Sequence, residues 1–296
     1  MTEPAVWARI RSDAFHADAT VIIRDLAPEG HRVVTVRHLR TAHYAVYRVR
    51  TGDGADHVVR IGAVSPDDDA PADNTAFAGT SAESPSGQLR EKIIAEAFAA
   101  AGADVVAPKH YARRDGLEAL WLPYLQDTGR PVTAGQWHRT LTGLHAWQPG
   151  TELPVFTNRS KTFARLEALP EATAIGLRNR YDTALEALFE TATAWSVVHG
   201  DAHAGNVINT GDRAALFDLD TSCWAPSVWD LTHLLHRAGT GANTGYTAAE
   251  LTGLFPFTRA EVSAAVALRG VASLVAKAHR DHAARAITPS PALVAA

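Results

Sequence analysis

Cysteine is almost absent from this 296-residue chain, and the single one, Cys223, rules out an internal disulfide framework and any metal site built on paired thiolates. Lysine is nearly as scarce, at positions 92, 109, 161 and 277, so arginine carries most of the positive charge. With 28 basic against 32 acidic side chains the formal charge is −4, which offers no general field for a nucleic acid. No uninterrupted apolar run reaches the roughly 18 residues needed to cross a bilayer, and the first twenty residues lack the basic start and apolar run of a secretory signal. The expectation from these absences is a cytoplasmic protein with no membrane or nucleic-acid partner, and a chain able to bury a core without staples.

What is present changes character along the chain. Residues 31–39, 44–51 and 57–64 (HRVVTVRHL, YAVYRVRT and HVVRIGAV) are β-rich, and GDGAD separates the last two, predicting an antiparallel meander. Residues 65–87, rich in Pro, Asp, Ser and Gly, have no apolar period and read as a mobile insertion. Residues 88–101 place Leu89, Ile93, Ala97 and Ala100 on one side at helical spacing, with Gly102 as a stop. DVVAPKHYA and LEALWLPYLQD flank the turn-like RRDG and complete a five-stranded antiparallel sheet with one helix. Beyond a boundary at Leu125 to Gly129, helical patterns at 133–147, 160–192, 227–238, 247–254 and 258–286 dominate, interrupted by the β-like WSVVHGD, NVINTG and AALFDLD. The expected fold class is therefore α+β, with a sheet-rich lobe over residues 1–125 and a mainly helical lobe over 126–296.

The chemistry concentrates in residues 196–220, SVVHGDAHAGNVINTGDRAALFDLD. An apolar strand runs into a polar loop carrying His199, Asp201 and Asn206, and a following pair of β-like runs delivers Asp218. Phosphoryl transfer needs a carboxylate to orient an incoming hydroxyl and take its proton, and divalent metal to offset the triphosphate charge. Asp201 suits the first task; Asn206 and Asp218 supply the hard oxygens that Mg²⁺ prefers. Two other readings of the same letters stay open. His199, Asp201 and His203 form an HxDxH pattern, a metal cluster of some hydrolases, and an intact fold of this kind could also serve as a catalytically silent nucleotide-binding or partner-binding module.

HGDAHAGN resembles the HxDxxxxN loop of the aminoglycoside phosphotransferase and choline kinase family, and FDLD resembles that family's metal-binding stretch. The resemblance implies a bilobal, protein-kinase-like fold and transfer from ATP or GTP, with Mg²⁺, to a hydroxyl of a small molecule. It makes His199 and Asp201 the catalytic-loop residues, with His199 bracing the loop, and Asn206 and Asp218 the metal ligands. LREKIIAEAFAAAG then looks like the first-lobe helix, so Glu91 pairs with a basic strand residue that holds the phosphates; that residue is Arg60, where the family usually has lysine. LWLPYL resembles the segment joining the lobes, with backbone groups of Pro123, Tyr124 and Leu125 facing the nucleobase. TLTGLHAW resembles a helix supporting the catalytic loop, and WAPSVWDLTHLL makes Asp230 that loop's anchor. Residues 37–49 lack the glycines of a protein-kinase phosphate loop, and Thr41 to Tyr44 stand in its place as N–H donors. The HRDH at 279–282 lies in an uninterrupted helical pattern and reads as a solvated face.

The family's acceptor is held mainly by the C-terminal helices. Here residues 225–296 hold four carboxylates against six basic side chains, which argues against a heavily cationic acceptor. The resemblance therefore points towards a neutral or weakly charged natural product, with antibiotic inactivation or self-resistance as the role. A metabolic kinase of a sugar, amino sugar or amino alcohol is the alternative, and either a monomer or a homodimer is compatible.

Overall fold

The computed structural model describes residues 9–41, 44–63, 87–147, 153–240 and 244–287; the insertion expected over 65–87 lies outside them apart from Gly87. The chain divides into two compact units. The first comprises Met1–Arg130, Pro149–Pro154 and Gly205–Asp220, the second Pro131–Gln148, Val155–Ala204 and Thr221–Ala296.

The first unit opens with helix α1 (Asp13–Asp25), which the sequence reading did not identify and which joins the expected helix on this sheet. Ser12 caps it by accepting the Phe15 N–H, and Phe15, Ala19 and Ile23 form its buried stripe. Strands β1 (Val33–Thr41), β2 (Ala45–Thr51) and β3 (Asp56–Ala63) form the meander; helix α2 (Gly87–Ala100) follows, then β4 (His110–Arg114) and β5 (Leu117–Pro123). The antiparallel sheet has the order β1-β2-β3-β5-β4. Asp115 and Gly116, with φ of 53° and 74°, make the two-residue turn between β4 and β5 that the letters DG predict. Strand β5 reads as a near-continuous apolar run because both its faces are covered. Ala119 and Trp121 pack with α1 residues on one face, and Leu120 and Leu122 join Val106 and Ala215 on the other.

Helix α2 departs from its expected orientation. Leu89, Ile93 and Ala97 are half-buried and Ala100 is exposed, whereas Gln88, Glu91, Ile94, Ala95 and Phe98 form the buried face. A count of apolar letters mistook the inward side because that side carries two polar residues, one of them Glu91.

Strands β7 (Val207–Asn209) and β8 (Ala214–Leu216) form a hairpin that belongs to this first unit. It is tied there by a Val105–Leu216 bridge and by the Val106 N–H donating to Leu216 O at 2.7 Å.

The second unit contains α3 (Ala134–His145), α4 (Thr157–Glu167), α5 (Glu171–Thr191), α6 (Leu231–Gly239), α7 (Ala248–Leu254) and α8 (Arg259–Ile287), with β6 (Trp195–Val198) paired to β9 (Cys223–Pro226). The single helical run expected over 160–192 is broken at Pro170, whose missing N–H cannot continue the ladder. Residues 227–230 form a 3₁₀ turn before α6 begins. Tyr181, Leu185 and Leu188 of α5 pack with Ala265, Leu268 and Val271 of α8 around Val198, Cys223 and Trp229. Cys223 is thus a core residue. Helix α8 is long enough to cross a bilayer, and one 18-residue stretch of it reaches a mean hydropathy of 1.2, yet Leu268 is buried in this core and Val275 in a neighbouring cluster with Leu166, Leu169 and Ala174.

Candidate active site

In the second unit, β6 and β9 pair Val198 with Cys223 and so deliver the chain into the loop at His199. The loop is fixed through its backbone. Asp230, 1 % exposed, accepts the His199 N–H through Oδ2 and the Gly200 N–H through Oδ1, both at 2.9 Å. His145 Nε2, at the end of α3, lies 3.0 Å from the same Oδ2, which is how the LH-containing helix supports the loop. The Trp229 indole donates to Gly200 O at 3.1 Å, and the Thr221 hydroxyl to His199 O at 2.9 Å. Gly200 has φ +84°, and a Cβ there would meet Thr221 O at 2.5 Å, so the bend requires glycine.

The imidazole of His199 is fully buried, and its Nδ1 accepts the Asp201 N–H at 3.3 Å. It faces the loop backbone, which fits the bracing role; among the described residues no three His, Cys, Asp or Glu side chains converge as a metal cluster, as the HxDxH reading requires.

Asp201 stands at the end of this brace with three basic groups around it. His233 Nε2 is 2.7 Å from Oδ1, the Arg269 guanidinium is 3.2 Å from the same oxygen, and His203 Nε2 is 3.6 Å from Oδ2. Burial pushes the Asp201 carboxyl up, but His203 and His233 outweigh it and hold the group well below the usual carboxylate range. Burial lowers His233 despite the facing carboxylate, and pushes Arg269 down to about 10, with Asp201 opposing. At neutral pH Asp201 is therefore an ionised acceptor beside a neutral imidazole and a charged guanidinium. A cavity of about 250 Å³ opens beside Asp201, with Lys161 and Arg165 of α4 and Ser273 of α8 on its walls. His233, Arg269, Lys161 and Arg165 escaped the sequence reading as site residues, because α4, α6 and α8 carry no local motif around them.

The first unit holds a second cluster. Arg60 on β3 is 5 % exposed and forks between two carboxylates: one nitrogen is ion-paired with Glu91 of α2, and Nη1 lies 3.0 Å from Asp218 Oδ1. Glu91 Oε1 also accepts the Asp218 N–H at 3.0 Å, closing a three-residue ring. The Arg60 guanidinium sits 4.9 Å over the Tyr44 ring. Burial works against the Arg60 charge, but Glu91 and Asp218 more than compensate and raise its pKa above the ordinary arginine value. Burial pushes the Glu91 carboxyl up, with Arg60 opposing. The expected Arg60–Glu91 pair is formed, and arginine's fork, which lysine lacks, lets it hold Asp218 as well.

Asp218 has φ +64°, a left-handed conformation uncommon for a non-glycine residue and one that clusters at functional positions. Asn206, 6 % exposed, precedes β7, and its carbonyl accepts the Phe217 N–H at 3.1 Å, so Asn206 and Asp218 emerge from the same end of the β7–β8 hairpin. One buried amide oxygen donor and one carboxylate form a sparse, hard donor set, the kind Mg²⁺ shares with phosphates and water.

Among the other expected contacts, the Tyr124 N–H donates to Asp56 O at 3.0 Å and its ring lies under Arg48, so the sheet already uses that donor. Pro123 has no N–H and ends β5, while Leu125 packs with Val58, Leu122, Ile208 and Phe217. Thr41 ends β1 with its hydroxyl 2.8 Å from His38 Nε2 and 3.3 Å from His16 Nε2; the next two residues of the expected phosphate loop lie outside the described residues. Among the described residues, Arg60 Nε and both polar atoms of the fully buried Gln88 amide have no hydrogen-bond partner.

Comparison with known proteins bears on the fold and the family. The structure resembles a choline/ethanolamine kinase family protein from Mesorhizobium loti (TM-score 0.59, 17% identity, covering 89% of this chain and 84% of that one). It also resembles a macrolide 2'-phosphotransferase from Brachybacterium faecium (0.56, 17%, 92% and 99%) and an aminoglycoside phosphotransferase from Streptomyces rimosus in complex with ADP and streptomycin (0.55, 16%, 88% and 99%). No curated protein matches the sequence. At such low identity these superpositions show a shared fold alone, while the sequence itself matches the phosphotransferase enzyme family over residues 36–264. The chain belongs to that family and is a small-molecule phosphotransferase with the fold of the antibiotic and choline kinases.

Proposed function

We propose that the protein transfers the terminal phosphoryl group of ATP or GTP to a hydroxyl of a small natural product, with antibiotic inactivation or self-resistance as its role and the cytoplasm as its place. The observation that carries this is the braced loop, which holds an ionised Asp201 at a pocket too small for a macromolecule. Asp201 accepts a hydrogen bond from the acceptor hydroxyl, orients its oxygen for in-line attack and takes its proton as the new O–P bond forms. The bond from the terminal phosphorus to the bridging oxygen breaks, and the nucleoside diphosphate leaves. His233 stays neutral, and Arg269 fixes the carboxylate without removing its negative charge.

Asn206 and Asp218 would hold Mg²⁺, which offsets the charge of the phosphate chain when bound. Arg60, positioned by Glu91 and with its Nε unpartnered, would meet a phosphate oxygen, and Gln88 offers a buried amide on the same helix face as Glu91. The half-buried apolar side chains of Val58, Leu125, Ile208 and Phe217 would take a purine ring. That structural neighbours include fructosamine and choline kinases as well as antibiotic kinases keeps the metabolic reading as the rival.

The testing experiment is release of ADP or GDP with Mg²⁺ across a panel of hydroxylated antibiotics, sugars and amino alcohols. Release that requires an acceptor supports the proposal; a protein that binds no nucleotide under any of these conditions overturns it.

A further inference from the structure

We infer that the acceptor of this enzyme carries an ionised acid group, a carboxylate, sulfate or phosphate, beside the hydroxyl that receives the phosphoryl group. The inference rests on the reading of Asp201 as the acceptor-facing base. The cavity next to Asp201 is lined by three basic side chains, Lys161, Arg165 and Arg269, against one carboxylate, Asp201 itself. That carboxylate is already spent on Arg269, at 3.2 Å, and on His233. Arg269 is further occupied by the Trp229 ring, 5.3 Å from its guanidinium carbon.

Lys161 and Arg165 are different. They sit four residues apart on α4, on one face, and among the described residues neither has an acidic partner. Like charges at this spacing repel, and Arg165 also acts against the charge of Arg269. The free protein therefore holds about two uncompensated positive charges at the mouth of its pocket. A ligand anion reaching Lys161 and Arg165 would relieve that repulsion, and the fork of Arg165 would orient it. The same field rejects an ammonium-bearing acceptor, since like charge juxtaposed across an interface is costly.

The other possible recipient of these cations is the phosphate chain of the nucleotide, and the test separates the two. L-tartrate, a hydroxylated dianion, is titrated into the full-length protein at low salt by calorimetry, alongside Mg²⁺-ATP, for wild type and the Lys161→Ala/Arg165→Ala variant. Both positions are solvent-accessible, and Arg165→Lys provides a charge-conserving control. The expected result is tartrate binding that falls at least tenfold in the double variant, is largely retained in Arg165→Lys, and leaves ATP affinity within about twofold. In the acceptor screen, compounds turned over should bear an ionised acid, and the double variant should raise their KM at least tenfold with kcat nearly unchanged. Absence of tartrate binding to wild type, a tenfold loss of ATP affinity with tartrate binding unaffected, or efficient turnover of a neutral or cationic acceptor insensitive to the double variant would each overturn the inference. Intact tartrate binding in a protein that turns over no nucleotide would remove the phosphotransfer reading and leave the anion pocket standing.

Discussion

Replacing Asp230 with asparagine isolates the brace beneath the catalytic loop. The native carboxylate offers one oxygen to the His199 N–H and the other to the Gly200 N–H, with His145 also on Oδ2. An amide has one oxygen, so either orientation turns an NH₂ towards a buried backbone N–H. A hydrogen bond to a charged acceptor contributes about 1.5–3 kcal/mol, and a buried donor left unpaired costs about 1–3 kcal/mol. With the remaining bond weakened to a neutral one, Asp230→Asn should destabilise the protein by about 2–4 kcal/mol. The loop would also relax, and a displacement of about 1 Å at a reacting group costs about 10²-fold in rate. Equilibrium urea unfolding measures the first quantity and acceptor-dependent diphosphate release the second. A variant within about 0.5 kcal/mol of wild type that keeps its rate within about threefold would refute the claim that Asp230 sets the geometry of Asp201.

Three further outcomes follow from the same geometry. Gly200→Ala forces a left-handed residue and a Cβ against Thr221 O, so urea unfolding should show a loss of about 2 kcal/mol or more, with activity falling alongside. Glu91→Gln leaves the buried Arg60 with Asp218 as its remaining charged partner; breaking a buried pair costs about 3–5 kcal/mol, and retained amide hydrogen bonding should keep this case near the lower figure, with nucleotide titrations showing weaker affinity. Burial lowers the pKa of His57, His110 and His233 in the folded state, so the unfolded chain binds more protons below about pH 6.5 and stability should fall as pH drops through that window; the depressed Asp201 adds a loss in the same direction at lower pH, below about 4. Thermal unfolding from pH 8 to 5 measures this, and His233→Asn should flatten the profile.

The parts of the protein legible in its sequence are those where neighbouring letters share a task. His199 through Asn206 and the following Asp218 sit on one short stretch, so their spacing survives any uncertainty about the surrounding elements, and the DG turn and alternating runs around it fix most of the sheet. Helix α2 was misread in orientation because Gln88 and Glu91 face inward to meet the sheet, reversing the rule that polar letters mark the solvent side. Helix α1 went unnoticed because Phe15, Ala19 and Ile23 give a stripe just one residue wide. Strand β9 is four residues long and ends in proline, too short to announce itself. The basic wall beside Asp201 was hidden for a different reason: Lys161 and Arg165 lie about forty residues before the loop and Arg269 nearly seventy after it, so their assembly is a property of tertiary packing alone.

The most direct test of the central claim is a comparison of wild type with Asp201→Asn, following the phosphorylated acceptor by ³¹P resonance under single-turnover conditions while measuring nucleotide affinity separately. The account expects affinity for Mg²⁺-nucleotide to remain within a few-fold and product formation to fall by about 10² or more, the range by which a positioned general base accelerates proton transfer. Product formation in the variant at a rate close to wild type would contradict it.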